Sequence, residues 1–83
     1  MWYGLTAYRV DVVGHVAGGY EIIEVKMDAG ITAVGQLVGY PMLWRASMPG
    51  LRLAGVRLVC ASVSADIRGI LRRLGVEVSV VEI

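Results

Sequence analysis

Apolar positions fall in blocks along this chain, and their period changes from block to block. Residues 5–16 (LTAYRVDVVGHV) are crowded with β-branched and aromatic side chains and predict a strand. Ala17-Gly18-Gly19 then predicts a turn, because glycine reaches positive φ without a steric penalty. Residues 20–27 (YEIIEVKM) predict the returning strand of a hairpin. Asp28 is read as a helix cap, with Gly30 near the helix start. Over residues 31–40 (ITAVGQLVGY) the period lengthens, and Ile31, Val34, Leu37 and Val38 are expected on one helical face. Pro41 is expected to kink or interrupt this helix, which resumes over Met42–Ala46 before a turn at Met48-Pro49-Gly50.

The second half repeats the alternation of periods. Residues 55–63 (GVRLVCASV) predict a largely buried strand. Ser64 is a good N-cap, and Ile67, Ile70, Leu71 and Leu74 follow the i, i+3, i+4, i+7 spacing of an amphipathic helix. Arg68, Arg72 and Arg73 are expected on its solvent side, and Gly75 at its C′ position. Residues 76–83 (VEVSVVEI) predict the last strand. The order β-β-α-β-α-β defines an α/β domain with a mixed sheet, residues 1–83 forming one unit. The strand–helix–strand unit from Val56 to Ile83 is expected to be parallel and right-handed.

Composition adds one constraint to this outline. Of the 83 residues, 57% are hydrophobic, more than so short a chain comfortably hides. The longest apolar runs, Leu58–Val63 and Val78–Val81, fall far short of the roughly 20 residues a membrane-spanning helix needs. No signal-peptide pattern opens the chain. An intracellular domain outside the membrane, burying the surplus in a homodimer, is the expectation. Cys60 is the only cysteine, so it makes no internal disulfide, and it reads as a small core residue. Net charge is +1, which gives no global basic field toward nucleic acid.

Three charged residues interrupt the hairpin. Asp11 breaks the first strand, and Glu24 and the only lysine, Lys26, break the second. With a two-residue loop at Ala17-Gly18, paired positions sum to about 35 and Asp11 faces Glu24. With the loop at Gly18-Gly19 they sum to about 37 and Asp11 faces Lys26. Both registers put Asp11, Glu24 and Lys26 on one face, because side chains alternate. A three-residue loop sends Asp11 to the other face unless a bulge restores the phase. The opposite face then carries Tyr8, Val10, Val12, Ile23, Val25 and Met27 and is expected to be the core face. Two carboxylates converging across a ladder repel unless a cation separates them. Mg²⁺ meets that need and can activate water for attack on a phosphodiester. Taken alone, the triad reads rather as an ion pair of Asp11 or Glu24 with Lys26 or Arg9 on a wet sheet face.

The next helix carries Gln36 and Tyr40, four residues apart and so on one helix face. The combined pattern is Arg9-Val10-Asp11, Glu24-Val25-Lys26 and Gln36-Leu37-Val38-Gly39-Tyr40. It resembles the D…ExK…QxxxY signature of the RecB-like exonuclease branch of the PD-(D/E)xK, or restriction-endonuclease-like, nuclease superfamily. The resemblance covers residues 9–43, about half the chain. It implies a metal-dependent phosphodiesterase acting on DNA. Asp11 and Glu24, with the Val25 carbonyl, would bind Mg²⁺ or Mn²⁺, and Lys26 would be the catalytic lysine. Gln36 and Tyr40 would contact the DNA strand or support the metal shell. The helix that usually precedes the family's first strand has no counterpart here, so the resemblance is to a minimal form. Two alternatives stand beside hydrolysis by a RecB-like enzyme. One is a Holliday-junction-resolvase-like endonuclease, against which the QxxxY pair argues. The other is a catalytically inactive nuclease-fold module that binds nucleic acid or protein.

Of the remaining residues, His15 reads as an exposed residue near the hairpin tip. Trp2, Tyr3 and Trp44 read as core or interface anchors rather than base-stacking platforms.

Overall fold

The computed structural model describes residues 12–82. Strand β1 (Val12–Val16) turns through Ala17-Gly18 into β2 (Gly19–Ala29). Helix α1 (Ile31–Ser47) follows after the single residue Gly30. Strand β3 (Leu53–Val63), helix α2 (Ala65–Arg73) and strand β4 (Glu77–Val80) complete the chain. The four strands form one mixed sheet in the order β1-β2-β3-β4. β1 pairs antiparallel with β2, while β2–β3 and β3–β4 are parallel. This is the β-β-α-β-α-β order and mixed sheet of the restriction-endonuclease-like description. Tyr8, Val10, Asp11, Trp2 and Tyr3 lie outside the described residues.

The hairpin takes the register of the Ala17-Gly18 loop, with Val12 opposite Ile23 and Val16 opposite Gly19. Gly18 and Gly19 have φ of 89° and 145°, which excludes an unstrained L side chain at either position. At Gly19 a Cβ would also strike the carbonyl of Arg52, the group that accepts from the Tyr20 amide at 2.9 Å.

The core face is the reverse of the one expected. Ile22 and Glu24 point toward the helices, whereas Val12, Val25 and Met27 are exposed, Met27 at 61% and Val25 at 44%. The packing of β3 and the two helices decides which face is covered. Both parallel crossovers in this sheet are of the strand–helix–strand type, and right-handed crossovers taken in the same direction put their helices on the same side. That side is the one to which Leu58 and Cys60 of β3 point, level with Glu24 and Lys26 of β2. One core group joins Ala33 and Leu37 of α1 and Leu71 of α2 to Leu58 and Cys60. A second joins Tyr40, Trp44 and Met48 to Ile22.

Three further expectations change. Helix α1 runs through Pro41 as one element, because Leu37, Tyr40, Pro41 and Trp44 are all buried. That continuous burial outweighs a proline penalty of about 3 kcal/mol. Ile31 and Val38, expected to share one helical face with Leu37, are exposed while Leu37 is buried. Asp28 does not cap α1. It belongs to β2, its carboxylate accepts from the Ser62 hydroxyl of β3, and Gly30 is the N-cap without a side-chain hydrogen bond. The strand limits also shift: β3 begins at Leu53 rather than residue 55, and β4 spans only Glu77–Val80.

Helix α2 is bounded as its sequence dictates. The Ser64 hydroxyl accepts from the Ile67 amide at 3.3 Å. Gly75, at φ 77°, donates to the Arg72 carbonyl, and Val76 donates to the Leu71 carbonyl. These two bonds form a Schellman ending, with Val76 and Leu71 in the same apolar group. Of the apolar positions expected to face the core, Leu71 is buried and Ile67 packs on it, while Ile70 and Leu74 are exposed.

Candidate functional site

Glu24 stands in the middle of β2 on the helix-covered face, between Ile22 and Lys26 in the alternation of that strand. It is 1% exposed and the only charged residue among the described residues to be buried. Removing a carboxylate from water costs several kcal/mol unless another charge or hydrogen bonds compensate. Lys26 supplies the charge. Its Nζ lies 3.7 Å from Glu24 Oε1, and its side chain is about one-third exposed. The apolar stem thus crosses the rim of the core while the ammonium reaches both the carboxylate and water.

Helix α1 brings the second pair to the same side of the sheet. It leaves β2 through Gly30 and runs back over the sheet, where Tyr40 joins Ile22 of β2 in one core group. Gln36 Nε2 donates to Tyr40 Oη at 3.3 Å. Tyr40 is buried against Ile22 and Trp44. Trp44 in turn donates its indole N–H to the Leu51 carbonyl at 2.6 Å, tying the end of α1 to the approach to β3. Gln36 and Tyr40 are therefore fixed by the packing of α1 rather than displayed to solvent. The side chain of Val25, expected to offer its carbonyl, lies on the open face.

Four of the expected residues, Glu24, Lys26, Gln36 and Tyr40, thus share one layer between β2 and α1. Asp11 lies outside the described residues. Among the described residues no three His, Cys, Asp or Glu side chains gather as metal ligands would. The described donors do not suit a hydrated Mg²⁺. That ion keeps several waters and holds phosphate oxygens, and a carboxylate at 1% exposure has little room for either.

A second polar group had no place in the sequence reading. On the open face Arg57 of β3 donates from Nε to Glu21 Oε1 of β2 at 3.3 Å and from Nη1 to Ser79 Oγ of β4 at 2.9 Å. One guanidinium thereby bridges three strands, using the geometry of its fork. The available signal was Arg57 inside the apolar run GVRLVCASV, the same kind of interruption that singled out Glu24 and Lys26.

Cys60 is buried beside Leu58, as its apolar surroundings predict. Burial pushes its thiol above the ordinary value, and the Arg68 guanidinium offsets part of that rise. It is a packing residue, not a thiolate nucleophile. Trp44 is a core anchor, and His15 is exposed and stacks at an angle on Tyr20, with centroids 4.9 Å apart. Among the described residues no helix is long and apolar enough to cross a membrane.

The chain was compared with family models, curated proteins and solved structures, and none of the three comparisons finds a match.

Proposed function

We propose that this chain is a nuclease-fold module that acts by associating with protein and not by hydrolysing DNA. The observation that carries the reading is the burial of Glu24. A metal-dependent phosphodiesterase must expose its carboxylates to a hydrated ion and to a substrate phosphate. Here the ExK glutamate lies under α1, and its charge is partnered by the ExK lysine. In this role Glu24 pairs with Lys26 within β2, Gln36 pairs with Tyr40 within α1, and the packing of Tyr40 with Ile22 joins strand to helix. Protein is favoured over nucleic acid as the partner because large apolar side chains stand exposed on both the open sheet face and α1, while net charge is only +1.

The test is metal binding followed by amide resonances. Titration with Mn²⁺ is expected to leave Glu24, Val25 and Lys26 no broader than the rest of the chain. Selective broadening of those three amides at micromolar Mn²⁺ would overturn the reading.

A second reading, Mg²⁺- or Mn²⁺-dependent DNA hydrolysis, is favoured by a separate observation. The ExK pair and the QxxxY pair both have internal contacts and lie in the same layer. Under that reading Asp11 and Glu24 remain the proposed metal ligands and Lys26 the catalytic lysine.

A further inference from the structure

Helix α1 is apolar on both sides. Its inner side packs on the sheet, as described. Its outer side carries Ile31, Gly35, Val38 and Met42 at intervals of four, three and four residues, which is the spacing of a helix–helix seam. Ile31 is 68% exposed, Met42 65% and Val38 39%. No charged residue occurs in the helix before Arg45. A helix apolar all round is ordinarily covered all round. Gly35 and Gly39 both face open space, so a second backbone can approach closely. A groove of about 380 Å³ adjoins the seam, between Val38, Pro41 and Met42 on one side and Leu53, Leu74 and Val76 on the other.

We infer that α1 is the contact surface of a two-fold homodimer, in which it packs antiparallel on the α1 of a second copy. This rests on the protein-association reading and names its first partner. The choice of a second copy follows from self-complementarity. An antiparallel pairing centred between Gln36 and Leu37 sets Ile31 against Met42 of the second copy and Gly35 against its Val38. Large residues thus meet large at the ends, and small meets medium at the crossing. The same pairing carries Arg45 toward the N-terminal end of the second copy's α1, beside which Asp28 stands near the end of β2. Both side chains are exposed, and the Asp28 carboxylate, which accepts from Ser62, keeps acceptor capacity for a guanidinium. The two-fold repeats the contact, giving two such pairs at the rim.

The open sheet face is the rival surface, and its charge argues against it. The Glu21–Arg57–Ser79 group sits among its valines, and covering that face would desolvate the ion pair. The α1 seam carries no charge between Ile31 and Met42, and its Arg45 and Asp28 groups lie at the exposed rim.

The test is sedimentation velocity on the full chain over a wide range of concentration, with circular dichroism as the folding control. The wild type is expected to dimerise. Val38→Glu is expected to weaken association roughly thirtyfold or more, as for a central contact. Met42→Lys, at a more exposed position, gives the same readout if Val38→Glu does not fold. Arg45→Glu is expected to weaken the dimer about fivefold, and Arg45→Glu with Asp28→Arg to restore it. A wild type that stays monomeric overturns the inference. So does a dimer indifferent to both seam variants, or a charge reversal that fails to restore. A monomer that cleaves no DNA sinks this inference alone, whereas a dimer with metal-dependent cleavage sinks the reading it rests on.

Discussion

Lys26 Nζ lies 3.7 Å from Glu24 Oε1, two residues along the same strand, and only the lysine reaches solvent. A buried carboxylate and its rim cation form a unit whose halves have unequal consequences. Lys26→Met is expected to cost about 1–3 kcal/mol, because it removes the ammonium that lies beside the buried Glu24 carboxylate. In a Glu24→Gln background the same lysine substitution is expected to cost less than about 0.5 kcal/mol. Urea unfolding of the four proteins measures the coupling. Additive losses would show that the lysine acts through something other than this carboxylate.

The identity of the core face can be checked by truncation on each side of β2. Ile22→Ala, on the helix side, is expected to lose about 2–4 kcal/mol. Met27→Ala, on the open side, is expected to lose less than about 1 kcal/mol. Denaturation midpoints compare them directly, and the opposite ranking would restore the face expected from the sequence.

That face was misassigned for a physical reason. The hairpin and its glycine turn, the element order, the Ser64 cap and the Gly75 ending are local and were readable from alternation and turn chemistry, whereas the hairpin register stayed open between two loops. Which alternate residues of β2 the helices cover depends on packing with β3 and both helices, and no local spacing encodes it. The alternation in β2 was ambiguous, since Ile22 and Ile23 are adjacent and each face offers apolar residues. The charge of Glu24 then argued for a wet face, although the residue is buried and carries a lysine as partner. The grouping of Glu24, Lys26, Gln36 and Tyr40 was legible because one strand and the next helix hold all four. The burial of Glu24 and Tyr40 was not, because it depends on how α1 packs over the sheet as a whole. The Arg57 bridge was not foreseen, because it spans three strands and no local spacing encodes it.

Pro41 marks a place where packing opposes local preference. It occupies the interior of α1, removes one backbone donor and crowds the carbonyl one turn back. Pro41→Ala is expected to stabilise the chain by about 1 kcal/mol or more, after allowing for the smaller side chain. Calorimetry would then show a melting temperature higher by roughly 4–8 °C. A lower melting temperature would mean that the buried ring contributes more than the helix loses.

Cys60 sets an alkaline limit on stability. Its folded thiol titrates above the ordinary value because it is buried. The unfolded chain therefore releases this proton first as pH rises. Stability from the buried neutral thiol is full below the unfolded value and is lost as pH climbs through the folded one. Cys60→Ala is expected to flatten the decline of unfolding free energy in alkaline solution, measured by denaturant titration from neutral to alkaline pH. A thiol-selective reagent should label native protein only as fast as it unfolds. Rapid labelling at neutral pH would contradict the burial.

Hydrolysis is the point on which the account turns. The direct measurement is incubation of labelled single-stranded, duplex and branched DNA with the purified chain and Mg²⁺ or Mn²⁺, beside Glu24→Gln and Lys26→Met. The account predicts that the wild type cleaves none of these substrates faster than the two variants do. Metal-dependent cleavage by the wild type that both substitutions abolish would contradict it, and would return Glu24 and Lys26 to the catalytic roles implied by the sequence pattern.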